Sequence, residues 1–272
     1  MLSDMTLGQF FPGNSLIHRF DPRLKIISIV LYIVAIFSAA SYEAFAAIVM
    51  TTVLIVALSG LSPKIIFKSL KPVLFILSFT VIANLLWTTG DVPIFEWWVI
   101  KIYPEGISYA FIMALRIVCL IVSTFVLLTY TTSPVALTDA IERLLSPFKR
   151  IGLPVHEFSM MMTIALRFIP TLVEETEKIM NAQKARGADF ESGNLLKRAK
   201  ALVPILIPLF VSAFRRADEL ASAMECRLYH GGDGRTRMKV MKAGAGDAAA
   251  TLLFALFSVL VIASRFYFTR VI

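Results

Sequence analysis

Long apolar runs are the sequence feature that most restricts what this chain can fold into. A helix of about 20 residues crosses the roughly 30 Å hydrocarbon layer, and within lipid only helices or closed barrels satisfy every backbone hydrogen bond. With 57% hydrophobic residues and a mean hydropathy of +0.76, the 272-residue chain is predicted to be an all-α integral membrane protein. The five candidate spans are 24–40, 44–60, 73–89, 107–131 and 248–268.

The charges between these runs predict how the chain crosses the membrane. The loop after the second run is basic, with three lysines, whereas the loop after the third is acidic and contains Trp97 and Trp98. Lysine and arginine favour the cytoplasmic side, and tryptophan favours the headgroup layer. Although Arg265 and Arg270 weigh mildly against an outer C-terminus, the loops together place the N-terminus in the cytoplasm. We therefore expect a four-helix membrane domain over 1–131, a cytoplasmic domain over 132–247 and a fifth span within 248–272.

Two polar stretches of the predicted cytoplasmic domain are built alike. Residues 169–189 and 207–230 each open with Ile-Pro and end near an arginine, Arg186 in the first and Arg227 in the second. Proline suits the first turn of a helix because its missing N–H is not needed there. Both stretches have an apolar face at helical spacing but carry too many charges to cross lipid. The pattern predicts two long crossing helices of roughly 25 to 30 Å, beside the membrane or at its surface.

The two arginines can be interpreted in two ways. An arginine in the last turn of a helix is favoured by the helix dipole, by about 0.3 to 1 kcal/mol, and Gly187 is an ordinary residue just past a helix end. That interpretation is sufficient for either arginine alone. Two similar helices with matching arginine ends, in a chain otherwise built for the bilayer, favour the other interpretation, in which the guanidinium groups fit acidic grooves on another protein.

Cationic residues also occur in or next to the spans. Arg116 lies near the middle of 107–131, where exposure to lipid would cost at least about 2.5 to 3.5 kcal/mol. It is either a functional group or, as we favour, an arginine that faces the helix bundle and meets a carbonyl or a polar neighbour such as Asn84. Three cations around the start of the first run are expected to anchor the chain at the cytoplasmic headgroups: Arg19, Arg23 and Lys25.

Several kinds of chemistry are missing from the sequence. It has no Gly-x-x-x-x-Gly-Lys-Ser/Thr loop for ATP and no pair of histidines spaced for zinc. Its two cysteines, Cys119 and Cys226, suggest neither a disulfide nor a metal site. The basic residues behind the net charge of +8 are spread over segment ends rather than gathered into a nucleic-acid-binding tract. We predict no catalytic site, no cofactor, no metal and no nucleic-acid partner.

Five segments carry a resemblance to a known family. They are Pro-Gly-Asn-Ser-Leu-Ile-His-Arg-Phe-Asp-Pro-Arg-Leu-Lys at 12–25, Arg-Phe-Ile-Pro at 167–170, Gln-Lys-Ala-Arg-Gly-Ala-Asp-Phe at 183–190, Ala-Ser-Ala-Met-Glu-Cys-Arg at 221–227 and Gly-Gly-Asp-Gly-Arg-Thr at 231–236. Together they resemble the transmembrane coupling (T) component of energy-coupling factor (ECF) transporters, the EcfT/CbiQ family. The resemblance extends from about residue 8 to residue 237, and its two arginine motifs are distinctive.

The resemblance implies a non-catalytic coupling subunit of an ABC-type importer in the cell membrane. Two ATPase subunits would bind the ends of the two long helices, and a separate substrate-binding membrane subunit would hold a vitamin or a transition-metal ion. The implied ATPase-binding residues are Ala185, Arg186, Gly187, Cys226, Arg227 and Leu228. Leu228 stands where the family commonly has glycine, which leaves open how the second helix ends.

A second interface is expected on apolar residues of the same region. Met160, Met161 and Met162 are either gap-filling core or a soft surface that several partners share, because methionine is flexible and adaptable. We predict that the substrate-binding subunit contacts these three methionines together with Phe210 and Phe214.

An alternative function is a self-sufficient permease or channel that binds substrate between its own spans. Such a protein needs polar groups that converge near the middle of the membrane, and the spans offer little beyond Asn84 and Arg116. A membrane enzyme is a third possibility, but the sequence offers no candidate acid, base, nucleophile or metal cluster. Copurification separates the first two, because only a coupling subunit should bring ATPases and a small membrane protein with it.

Overall fold

The computed structural model describes residues 10–89, 95–97, 100–190, 192, 194–232, 241 and 243–267. Apart from one antiparallel hairpin, β1 (Phe95–Trp97) with β2 (Ile100–Ile102), the regular structure of these residues is helical. The α-helices are α1 (Leu16–Arg19), α2 (Pro22–Ser38), α3 (Tyr42–Ser59), α4 (Pro63–Leu70), α5 (Leu74–Trp87), α6 (Pro104–Thr124), α7 (Pro134–Leu145), α8 (Val155–Ala185), α9 (Leu195–Cys226) and α10 (Ala245–Tyr267). Short 3-10 segments lie at Lys71–Val73 and Ser146–Ile151, and a π-helical segment at Phe125–Tyr130. The all-α class is confirmed.

Four helical segments of the described chain are long and apolar enough to cross a bilayer: Tyr42–Ser59, Pro63–Trp87, Pro104–Tyr130 and Ala245–Arg265. They match four of the five predicted spans. The remaining predicted span, 24–40, corresponds to α2, whose 17 residues extend about 25 Å. That length is a little short of the roughly 30 Å hydrocarbon layer.

The segment before the third span differs from the prediction. The sequence predicts a basic loop between the second and third spans, because that stretch contains three lysines. Instead α4, the 3-10 segment and α5 form one helical segment that begins at Pro63. Pro72 lies in the first turn of the 3-10 segment, where an N–H is not required, so it does not interrupt the helix. The tryptophans of the predicted aromatic belt have side chains outside the described part of the chain, and that prediction stays open.

Contacts between Cα atoms divide the chain into two compact units. The described residues 10–140 and 241–267 form one unit, which holds all four spanning segments and is called the membrane unit below. The described residues 141–232 form the other, which holds α8 and α9 and is called the rod unit. The predicted division into a membrane domain over 1–131, a cytoplasmic domain over 132–247 and a fifth span stays a prediction.

The core of the membrane unit is formed mainly by α2, α3 and α6, and α10 packs along α2. Tyr32 is fully buried, and its ring lies against Phe254 and Phe257 of α10. Its hydroxyl donates to the carbonyl of Ile48 at 2.7 Å, and Ser258 donates to the carbonyl of Leu31 at 3.0 Å. The hydroxyls of Tyr32 and Ser258 therefore find partners within the unit, which offsets the cost of burying them in an apolar layer.

Lys25 is also buried in the membrane unit, with 1% of its surface exposed. Its ammonium donates to the carbonyl of Thr131 at 2.9 Å and to the hydroxyls of Thr131 and Thr132 at 3.1 Å each. All three donors of the ammonium are used. The prediction that Lys25 anchors headgroups is wrong, because these partners lie more than a hundred residues away in sequence and cannot be foreseen from local pattern.

The other two cations of the lead-in differ from Lys25. Arg23 is held by the carboxylate of Asp21, which it contacts at 2.8 Å, and it also donates to the carbonyl of Met241 at 3.3 Å. Arg19 is exposed and makes no ion pair among the described residues. Of the three cations, Arg19 is thus the one whose guanidinium is free to meet a headgroup.

Arg116 faces the helix bundle, as the favoured interpretation proposed. Its guanidinium donates to the carbonyl of Ala39, the C-cap of α2, at 3.0 Å and lies 5.2 Å from the centre of the Phe45 ring. A cation near the C-terminal carbonyls of a helix is stabilised by the helix dipole, and the ring face adds a cation–π contact. Asn84 is not its partner, because the Asn84 amide donates to the carbonyl of Thr80.

Candidate partner-docking site

The rod unit is dominated by two helices that are longer than predicted. Helix α8 has 31 residues and α9 has 32, which correspond to about 46 and 48 Å. The sequence predicts starts at Ile169 and Ile207, but both helices begin well before these points and contain Pro170, Pro204 and Pro208 in their interiors. A proline that suits a first turn can also interrupt one hydrogen bond inside a longer helix, and the sequence does not distinguish the two cases.

An ion pair between described residues joins the two rods. The Arg216 guanidinium of α9 donates to the Glu175 carboxylate of α8 at 3.0 Å, and its Nε lies 3.5 Å from the Ser212 hydroxyl. Hydrogen bonding by Ser212 and the positive charge of Arg216 lower the pKa of Glu175, so this carboxylate is ionised over the physiological range. The Glu175–Arg216 pair is thus a contact between one turn of α8 and one turn of α9.

The ion pair lies the same number of residues before each of the two predicted docking arginines. Arg186 follows Glu175 by eleven residues, and Arg227 follows Arg216 by eleven residues. At 1.5 Å per residue, each arginine lies about 16 Å along its rod from the contact. The two rods thus present their arginines at matched distances from the point that joins them.

The ends of the two rods have the same hydrogen-bonded geometry. Arg186 and Arg227 are the C-cap residues of α8 and α9. In the first rod, Gly187 donates its backbone N–H to Lys184 at 2.9 Å and Ala188 donates to Gln183 at 3.0 Å. This pair of bonds is the Schellman motif, which requires a left-handed residue immediately after the cap. Gly187 fills that position with a φ of 88°.

The second rod reaches the same geometry without glycine. Leu228 donates its N–H to Glu225 at 2.8 Å and Tyr229 donates to Met224 at 3.0 Å, which repeats the bonds of the first rod. Leu228 adopts a left-handed φ of 54°, the one non-glycine residue with a positive φ in the described chain. The question left open by the sequence is answered, since the second rod ends as the first does. A left-handed leucine is strained, at about 1 to 2 kcal/mol.

All six predicted docking residues are exposed at these two ends: Ala185, Arg186, Gly187, Cys226, Arg227 and Leu228. Neither arginine side chain has a hydrogen-bond or ion-pair partner among the described residues. Leu228 shows 77% of its surface, although large apolar side chains usually avoid water. Each rod therefore ends in a free guanidinium that is held by a defined backbone turn. Their contact with a partner stays a prediction.

The apolar residues predicted for a second interface are mostly exposed as well. Phe210 and Phe214 show 62% and 69% of their surface, and Met161 and Met162 show 58% and 40%, whereas Met160 is partly buried. Sequence reasoning missed that the exposed face of α9 extends further toward its start. Because α9 begins at Leu195, four exposed apolar residues that precede the predicted start also belong to this rod: Leu196, Leu202, Val203 and Leu206.

The glycine-rich segment after α9 packs back on the start of α8. A Cβ atom on Gly232 would lie 2.4 Å from Cδ2 of the His156 ring, so this contact requires glycine. His156 in turn has its Nδ1 atom 3.1 Å from the Glu142 carboxylate. The remaining residues of that segment, 233–236, lie outside the described chain. The described start of this glycine-rich segment is thus a packed element of the rod unit.

Helices that are apolar enough to span a membrane, together with two long helices that end in matched and exposed arginine caps, define a helical membrane protein. The family model described as cobalt transport protein, CbiQ, matches residues 13–240. The chain is 51% identical over 271 residues to the energy-coupling factor transporter transmembrane protein EcfT of Clostridium kluyveri, covering 99% of this chain and all of that protein. It is 44% identical over 270 residues to EcfT of Bacillus subtilis, with the same coverage. The chain belongs to the EcfT/CbiQ family.

This membership confirms the family resemblance found in the sequence. The chain is a transmembrane component of an energy-coupling factor transporter, and as such it is a part of a membrane complex with other subunits. The family motifs at 183–190 and 221–227 coincide with the two helix ends described above.

Proposed function

We propose that this chain links ATP hydrolysis by two partner ATPase subunits to the uptake of a micronutrient, a vitamin or a transition-metal ion. In this proposal a separate substrate-binding membrane subunit holds the cargo, and residues 132–247 lie in the cytoplasm. The observation that carries the proposal is the pair of free arginines at identical Schellman caps. The second helix keeps this cap although the left-handed conformation strains Leu228, which supports a use for the end that the cap forms.

The chemistry of these ends suits docking in acidic grooves. A guanidinium pairs with a carboxylate through two parallel hydrogen bonds, and it stays charged at any physiological pH. Because each arginine is the cap residue, its backbone is fixed by the two bonds of the Schellman motif while its side chain extends freely. One ATPase at each end accounts for the presence of two similar ends.

The remainder of the rod unit supports transmission of movement. The Glu175–Arg216 pair joins the rods at a matched distance from both arginines, so a movement that closes the ends also changes the angle between the rods. The exposed apolar face of α9, which includes Phe210 and Phe214, is proposed to carry the substrate-binding subunit, with Met160, Met161 and Met162 of α8. Such a face would be unfavourable in water without a partner.

The test is copurification and uptake with variants of the arginines. Arg186→Ala and Arg227→Ala should each weaken ATPase binding, because truncating one partner of a desolvated charge pair costs about 2 to 5 kcal/mol, and the double variant should abolish uptake. Arg215→Ala is the matched control, since Arg215 is an exposed arginine on α9 far from the end. Full copurification and uptake by the double variant would refute the docking role. Uptake by the chain without any ATPase would instead establish the permease alternative.

A further inference from the structure

The membrane unit contains a groove that the side chains of its described residues leave open. It has a volume of about 640 Å³ and lies between α1, α3 and α10. Its walls are aliphatic and aromatic, and they include Leu54 and Leu58 of α3 with Leu253 and Phe257 of α10. Both leucines of α3 and Leu253 are more than 40% exposed, and they belong to helices that are long and apolar enough to cross the bilayer. The groove therefore presents apolar surface that a bilayer component can cover.

The depth of the groove matches one leaflet. Along α10 it extends from Gly246 to Phe257, which are eleven residues or about 16 Å apart. Half of a hydrocarbon layer of roughly 30 Å is about 15 Å. A spanning helix of a partner would need a groove of twice this depth. The dimensions fit a lipid acyl chain that enters from one membrane surface.

The charges at the mouth of the groove identify the headgroup. Arg19 lines the groove, is exposed and has no ion pair among the described residues. The other charged lining residue, Asp247, is half-buried and accepts the backbone N–H of Gly244 at 2.9 Å. Because Arg19 is exposed and Asp247 is not, the charge that is most accessible at the mouth is the positive charge of Arg19.

We propose that this groove is a binding site for an anionic phospholipid, with the phosphate on Arg19 and one acyl chain between α3 and α10. Phosphatidylglycerol fits because its remaining headgroup is neutral. Phosphatidylethanolamine fits less well, because the carboxylate near the mouth, that of Asp247, is half-buried and already accepts the N–H of Gly244. The site does not depend on ATPase docking, since it lies wholly within the membrane unit.

Native mass spectrometry of the purified chain, with equimolar phosphatidylglycerol and phosphatidylethanolamine, tests the proposal. The wild-type chain should retain phosphatidylglycerol preferentially. Arg19→Gln should reduce its occupancy about fivefold, the effect of one cation at a membrane surface, and leave phosphatidylethanolamine unchanged. Lys68→Gln, which removes an exposed cation of α4 away from the groove, should change neither lipid. Equal losses of bound phosphatidylglycerol in Arg19→Gln and Lys68→Gln would overturn the proposal, because they would show only a general attraction of the lipid to a basic protein.

A second measurement locates the acyl chain without any variant. Phosphatidylglycerol with a photoreactive acyl chain should crosslink to residues 51–58 or 246–257 of the wild-type chain. Ala250→Phe, which fills the groove, should remove these crosslinks while thermal unfolding shows the chain to be folded. Crosslinks that are spread over all the spans, or that persist in a folded Ala250→Phe variant, would overturn the proposal.

Discussion

Replacing Leu228 by glycine should stabilise the end of the second rod. Leu228 occupies a left-handed position with a φ of 54°, which costs a non-glycine residue about 1 to 2 kcal/mol. Glycine removes that strain, but it also has more conformational freedom in the opened state. This freedom reduces the stabilisation by about 0.4 to 1 kcal/mol. The net gain is about 1 kcal/mol, or about a fivefold shift in the local opening equilibrium. The leucine side chain is 77% exposed, so little packing is lost with it.

Hydrogen exchange of the purified chain measures this opening directly. The informative amides are those of residues 228 and 229, since both donate the bonds of the Schellman motif. They should exchange about fivefold more slowly in Leu228→Gly. The matched control is Gly187→Ala in the first rod, where an added Cβ meets nothing within 4 Å and the only cost is the backbone. There the amides of residues 187 and 188 should exchange faster.

The amide exchange rates at the two helix ends should therefore change in opposite directions, slower in Leu228→Gly and faster in Gly187→Ala. Unchanged or faster exchange in Leu228→Gly would refute the strain argument, because the cap would then not be limited by the left-handed leucine. Slower exchange in Gly187→Ala would show that the first rod does not end as described.

Three further predictions concern other contacts. The Glu175–Arg216 pair is partly exposed. A double-mutant cycle with Glu175→Gln and Arg216→Met should therefore give a coupling free energy of only about 0.2 to 1 kcal/mol in chemical unfolding. Since the folded-state pKa of Glu175 is lowered, this contribution should be present above about pH 4.3 and disappear as pH falls through the folded value. Lys25→Met removes three buried hydrogen bonds and should lower stability by about 2 kcal/mol in thermal unfolding. Gly232→Ala must displace the His156 ring and should destabilise the rod unit by about 1 to 3 kcal/mol, measured by chemical unfolding.

The membrane part of the fold follows from local sequence to a large degree. A run of about 20 apolar residues has few alternatives to a spanning helix, so four runs became spanning segments as predicted. Their starts were less predictable, because proline marks both a helix start and a tolerated interruption. Pro72 is an example at α5, and Pro170 and Pro208 are examples in the rods.

Pairings between distant residues were not predictable in the same way. Lys25 looks like a headgroup anchor in sequence, yet the fold buries it against Thr131 and Thr132. The Glu175–Arg216 pair joins two helices whose relative placement no local pattern specifies. The positions of Arg186 and Arg227 at helix ends were predicted correctly because caps are local features, set by residues within one turn.

The Glu175–Arg216 pair also divides each rod unequally, which makes the two rods a lever. Beyond the pair, the arms that end in Arg186 and Arg227 are about 16 Å long, whereas the arms back to Val155 and Leu195 are about 30 Å. An approach of about 1 Å between the arginines therefore displaces the opposite ends by about 2 Å. The prolines inside both rods all lie on the long arms, so the short arms are the stiffer ones. If ATPase subunits move the arginines as proposed, a small movement there becomes a larger movement at the far ends.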